Sequence, residues 1–142
     1  MNSTVFTELS QFVRYAQKRF HLSWLAGSFG DSRLEPLVPS RAVWQSLMLG
    51  EVVKVPSHLQ LEAETRLPQW QRWVGYGAPI SHDTMGYAAE RFDPQELRRG
   101  LVWIGRRLKR GKAFEESKVH GLLVVSLDAN EQFCSDHRCC ED

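Results

Sequence analysis

Residues 93–128 read DPQELRRGLVWIGRRLKRGKAFEESKVHGLLVVSLD, and two unlike halves meet within them. The first half carries the start and stop signals of a helix. Asp93 stands at the N-cap, Pro94 at the first helical position and Glu96 at the third, the spacing of a capping box. Leu97, Leu101, Ile104 and Leu108 fall on one face, and Gly111 sits where a C′ glycine belongs. After the linker KAFEESK, the run Leu122–Leu127 is apolar on both faces and ends at Asp128. Such a strand belongs in the middle of a covered sheet. A turn over Asp128, Ala129 and Asn130 and a second strand around Glu131–Cys134 make a hairpin, which by itself is marginal in water. Either the hairpin packs on the helices, or the rest of its sheet lies outside these residues.

Upstream the pattern is helical. Val5, Phe6, Leu9, Phe12, Val13, Ala16 and Phe20 recur at three- and four-residue steps, with Ser3 or Thr4 as N-cap. Residues 21–40 hold glycines and prolines and no clean period, so loop or short turns are expected. Ser40 is placed to cap a helix through Trp44, Leu47 and Met48 that ends near Gly50. Ser57 and Gln60 match a second capping box, for a helix from His58 to about Arg66. The stretch LPQWQRWVGYGAP reads as an irregular elbow. Ser81 or Asp83 caps a short helix whose Met85, Ala88, Ala89 and Phe92 face inward. The predicted class is mainly α: a helical N-terminal region over 1–112, then a β-hairpin with a Cys/His tail over 113–142.

The totals exclude little and suggest much. The 142 residues, 42% of them apolar, suffice for one ordinary core. A formal net charge of +1 exerts no global pull toward nucleic acid or membrane, so any such signal must be local. No window approaches the ~18 apolar residues of a membrane span. Glu8, Gln11 and Arg14 interrupt any signal-peptide core, so the expected compartment is the cytoplasm. Thiols there stay reduced, which favours metal binding over disulfides. No phosphate loop, nucleophile elbow or zinc-protease helix is present.

Three groups of residues could carry chemistry. Asp128 ends a rigid strand, where nucleases that use two metal ions place carboxylates; the competing reading is a turn residue. Cys134, His137, Cys139 and Cys140 have zinc-ligand chemistry, but adjacent Cys139 and Cys140 fit one tetrahedral ion poorly, and the plainer reading is incidental thiols. Arg98, Arg99, Arg106, Arg107, Lys109, Arg110 and Lys112 make one segment locally basic. Positions 99, 106 and 110 share a helix face, and 98 and 109 lie near each other on another. They suit phosphate contacts or a solvated face near a helix C-terminus. The five tryptophans read as core or elbow packing. His82 reads as a capping neighbour rather than a catalytic group.

Two ordered blocks resemble the N-terminal part of bacterial insertion-sequence transposases of the DDE type. ISHDTMGYAAERFDPQELRRGL (80–101) is similar to that family's S-D-D-T-x-x-R-x-x-x-x-x-D-P-x-x-L segment. GLLVVSLDANEQFCSDHRCCED (121–142) resembles its first catalytic strand, of the type V-x-x-D-G-x-E-x-F-x-S, and the H-R-x-C segment after it. The likeness spans roughly residues 56–142. It implies a ribonuclease H-like catalytic domain in which three acidic residues hold two magnesium ions for DNA cleavage and joining. Asp128 takes the place of the first acid. Ala129 stands where the family has glycine, and alanine resists the positive φ of a tight turn. The family's second Asp and its Glu fall beyond residue 142, so the resemblance implies a truncated chain, inactive alone, whose helices bind DNA ends or a second protomer. The alternative is a self-contained helical binding module with a zinc-stabilised C-terminal hairpin. A third is a remnant that folds poorly and exposes LLVVSL.

Overall fold

The computed structural model describes residues 3–123 and separates into two compact units, Met1–Arg107 and Leu108–Asp142. The larger holds α1 (Ser3–Phe20), α2 (Leu22–Gly27), α3 (Ser40–Val52), α4 (His58–Thr65), α5 (Pro68–Val74), α6 (His82–Ala89) and most of α7 (Pro94–Arg110). The mainly helical expectation therefore stands.

Helix α3 is the hub, because α2, α4, α5 and α6 all pack on it. Its sequence allows this. Ala42, Val43, Gln45, Ser46, Leu49 and Gly50 are buried, so apolar or small residues cover most of its circumference. Gly50 is the point of closest approach: a Cβ there would lie 3.0 Å from Leu61 Cδ2 of α4. Several buried polar groups are bonded across helices, although Gln45 Oε1 and Glu64 Oε2 have no partner among the described residues. Trp70 Nε1 of α5 donates to Ser46 Oγ at 3.3 Å. Gln45 Nε2 donates to Ser23 Oγ of α2 at 3.3 Å, and Ser23 Oγ donates to Gln17 Oε1 of α1 at 3.1 Å. Thr65 at the end of α4 accepts from Ile80 N at 3.0 Å and donates to Glu62 O at 2.7 Å, fixing the chain just before α6.

Several local expectations are corrected. Residues 22–27, expected as loop, form α2 and bury Leu22, Leu25 and Ala26; His21, left-handed at φ 47°, separates it from α1. The expected elbow forms α5, with Pro68 in its first turn and Gly75 left-handed after its end. Ser40 does not cap α3. Pro39 takes the cap position, and Ser40 Oγ donates to Asp31 Oδ2 at 2.6 Å instead. Ala89, expected to face inward, is exposed.

The loop between α2 and α3 is organised by a buried ion pair. Arg33 meets Asp31 at 2.6 Å, with side chains 5% and 2% exposed. Arg33 also donates to Val38 O at 3.1 Å. Burial raises the Asp31 pKa, but the hydrogen bonds from Arg33 and Ser40 outweigh it and hold the carboxyl below its ordinary value. Asp31 and Phe92 form an isolated antiparallel bridge, so this loop also fixes the chain between α6 and α7.

Helix α7 keeps most of its predicted seating, with Leu97 and Ile104 packed against the core and Leu108 half-buried, but Leu101 departs from it. The expected face was Leu97, Leu101, Ile104 and Leu108. In the structure Gly100 is the buried residue, and Leu101 is 70% exposed. The cause is Phe29, whose ring occupies the space a side chain at position 100 would need and meets Trp44 of α3 at a centroid distance of 4.9 Å. The capping box is also only half made. Asp93 Oδ1 accepts from Gln95 N at 2.8 Å, while Glu96 reaches across to accept from the Gly30 amide.

In the smaller unit, α7 ends in a Schellman pattern, with Lys112 N on Lys109 O and Ala113 N on Leu108 O, both 3.1 Å. The left-handed residue is Lys112 (φ 58°), one place later than the expected Gly111. Helix α3 ends the same way on Lys54 (φ 58°). Beyond the helix, β1 (Lys118–Val119) pairs antiparallel with β2 (Leu122–Leu123). His120 (φ 49°) and Gly121 (φ 81°) supply the two positive φ angles of a type I′ turn. Leu122 is 71% exposed, where a covered strand was expected. The rest of that strand, and its predicted partner around Glu131–Cys134, lie outside the described residues.

Two substitutions probe this packing in opposite directions. A Cβ at Gly100 would come within 2.7 Å of Phe29 Cζ. Gly100→Ala therefore destabilises by about 1–3 kcal/mol, the usual cost of overpacking. Lys54→Gly relieves the left-handed strain and stabilises by up to ~1 kcal/mol. Urea midpoints of the two variants should move to opposite sides of the parent.

Candidate nucleic-acid interface

The basic segment predicted from sequence is helix α7 and the turn after it. Its only acid is Glu96, which is committed to the Gly30 amide. In the larger unit Arg98, Arg99 and Arg106 are exposed. Among the described residues none of them has a carboxylate partner, whereas Arg33, Arg66 and Arg91 are each paired. Seven residues separate Arg99 from Arg106, two helical turns, so they fall on one face.

Arg107 differs from its neighbours. It is half-buried, with its guanidinium 4.6 Å from the centroid of the Trp103 ring, and it donates to Arg19 O at 3.1 Å. That bond joins α7 to the last turn of α1, which carries Lys18 and Arg19. Arg107 is thus a cation–π and backbone anchor rather than a free phosphate contact. In the smaller unit Lys109 and Arg110 are exposed in the last turn of α7, where the helix dipole favours cations. Lys112 is exposed in its left-handed turn, off the helix.

Beside these arginines lies a groove that the sequence did not announce. Trp24, Ser28, Phe29, Glu96, Arg99, Gly100 and Trp103 line a cleft of about 270 Å³. The Trp24 and Trp103 rings meet at a centroid distance of 5.8 Å, tilted by 45°. Trp24, expected as core or elbow packing, is 61% exposed. Its exposure follows from α2, which buries Leu22, Leu25 and Ala26 and leaves position 24 outside. The volume falls below the ~300 Å³ at which ordinary small-molecule pockets begin.

A second polar cluster joins α4 to α6. Glu62 accepts from His82 N at 3.0 Å and bonds His82 Nδ1 at 2.8 Å. Arg66 meets the other Glu62 oxygen at 2.7 Å, and Asp83 lies 3.4 Å from His82 Nε2. The His82 backbone and ring bonds, followed by Arg66, lower the Glu62 pKa to about 2. The Glu62 bond, then the Asp83 charge, raise the His82 pKa. Ser81 caps α6 by accepting from Thr84 N at 3.2 Å, as one of the two predicted caps. His82 therefore sits in a capping neighbourhood and contacts a carboxylate of another helix, which spacing alone did not reveal.

Asp128, Cys134, His137, Cys139 and Cys140 lie outside the described residues. Among the described residues there is no group of three or more His, Cys, Asp or Glu placed to hold a metal ion. No described helix is long and apolar enough to cross a membrane. Searches against protein-family models, curated proteins and solved structures find no match to the chain.

The Glu62–His82 pair sets a pH signature. A lowered Glu62 pKa gives stability that is present above the usual 4.5 and is lost as pH falls toward about 2. A raised His82 pKa gives stability that is present below 6.5 and is lost as pH rises through the higher folded value. Urea midpoints followed across pH should show both slopes, and Glu62→Gln should remove the acid slope and reduce the His82 slope to the part Asp83 sustains.

Proposed function

We propose that the helical region is the DNA-end-binding or dimerisation part of a DDE-type insertion-sequence transposase of the cytoplasm, without nuclease activity of its own. The observation that carries this is the set of exposed arginines Arg98, Arg99 and Arg106 on one helix, unpaired with carboxylates among the described residues. Unpaired guanidiniums leave their charge and donors for phosphate oxygens. Lys109, Arg110 and Lys112 add local positive charge in the second unit. The sequence blocks around residues 80–101 and 121–142 supply the family resemblance.

Catalysis in such a family needs magnesium held by three acids. Residues 1–142 offer only Asp128 at a matching position. One carboxylate makes a weak divalent site and cannot fix two ions at a set separation. The role left to the helices is positioning: a charged face that aligns a DNA end, with dimerisation as the way to present two ends together.

The test is a titration of the chain with duplex DNA at several salt concentrations. Arg98→Ala with Arg106→Ala should weaken binding and reduce the slope of log K against log salt by about 1 per arginine removed. Binding with no salt dependence overturns the phosphate reading. Magnesium-dependent nicking of transposon-end DNA by residues 1–142 overturns the claim that they are inactive alone.

A further inference from the structure

We infer that the groove between α2 and α7 is a stacking site for an unpaired nucleobase, so that this surface prefers single-stranded nucleic acid over duplex. The inference rests on the phosphate-contact reading of α7 and adds to it a ligand that a phosphate-binding helix alone would not select. Trp24 leans on Trp103 at 5.8 Å between centroids and still keeps 61% of its surface open. Burial cannot be the reason for a tryptophan at that position. The cleft beside it, about 270 Å³ and lined mostly by Trp24, Phe29, Trp103 and Gly100, suits one planar ring system rather than an extended ligand.

The charges around the cleft decide between occupants. Arg99 lines it and is exposed, Arg107 sits over Trp103, and the end of α1 with Lys18 and Arg19 is tied to Arg107. The one acid in the lining, Glu96, is hydrogen-bonded to Gly30 N. An aromatic platform with cations on its rim matches a base attached to a phosphodiester backbone, since every base offers a π-face and every nucleotide a negative charge. In an intact duplex the bases are stacked on one another and their faces are closed to a side chain. A strand with free bases fills both parts of the site at once.

The groove cannot be wide open by accident of a loose helix. Gly100 lets Phe29 close the floor, and the two tryptophans form the wall, so the site is built from elements that also hold α7 in place. Trp24 is the exception: its outer surface contributes little to that packing and is free to act on a ligand.

The experiment compares an oligothymidine strand with a hairpin duplex of equal phosphate count, each binding the full chain, read by fluorescence anisotropy of the labelled DNA. The parent should favour the single strand. Trp24→Leu, which keeps an apolar contact to Trp103 but cannot stack, should weaken single-strand binding about tenfold, on the scale of one lost base stack. It should leave duplex binding unchanged. Trp24→Phe should restore most of the loss. Arg99→Gln, at an exposed position, should reduce single-strand binding more than duplex binding. If Trp24→Leu and Arg99→Gln bind both DNAs alike, the stacking site is wrong while the phosphate face stands. If neither DNA binds with a salt slope, the phosphate reading fails first. Equal competition by polyglutamate against the single strand also overturns the inference, because charge alone then explains binding.

Discussion

Helix α3 is enclosed by four other helices, and that enclosure imposes a condition on its polar residues. Gln45 and Ser46 cannot turn to water, so the bonds they make, at Gln45 Nε2 and Ser46 Oγ though not at Gln45 Oε1, come from side chains that belong to neighbours. Ser46 is bonded by the Trp70 indole, and Gln45 by Ser23, which is itself bonded to Gln17. An unmade bond at such a position costs about 1–3 kcal/mol in desolvation. These few bonds therefore reject alternative seatings that would satisfy the apolar surfaces equally well. They fix α1, α2 and α5 relative to the hub, and through α2 they fix Phe29, the residue on which α7 rests.

Helix α7 shows how one small residue changes part of a surface. With Phe29 filling the space at Gly100, Leu101 and Val102 face outward, at 70% and 48% exposure, while Leu97 and Ile104 stay against the core. The same helix brings Trp103 against Trp24 and Arg107 against the end of α1. Leu97 and Ile104 pack against the core beside Trp103, and the Arg107 guanidinium adds the bond to α1. The arginines on the remaining face are left unencumbered, and the helix can be read as attached at one side and offered at the other.

The strong helices were legible because their signals were redundant. Residues 93–112 had a cap, a proline, a period and a basic C-terminus all in agreement, and residues 57–66 had Ser57 with the right spacing. Two short helices were missed for a common reason. Neither LSWLAG nor PQWQRWV is long enough for a period to show, and both are held by tertiary contacts of Leu25, Trp70 and their partners. The burial of Gly100 was illegible in principle, since it depends on Phe29, remote in sequence and arriving from a loop. The Glu96 bond to Gly30 is of the same kind: local spacing suggested a nearby partner, and the fold supplied a distant one. The candidate site followed suit. Its arginines were visible as composition, but its tryptophan wall required α2.

The five tryptophans also make the protein its own optical probe. Trp70 is sealed against Ser46 at 1% exposure, so its emission belongs to the dry interior and changes when α3 and α5 separate. Trp24 is open to dissolved quenchers yet lies within energy-transfer range of Trp103. Loss of the core and disturbance of the groove would leave different spectral traces in one unlabelled sample.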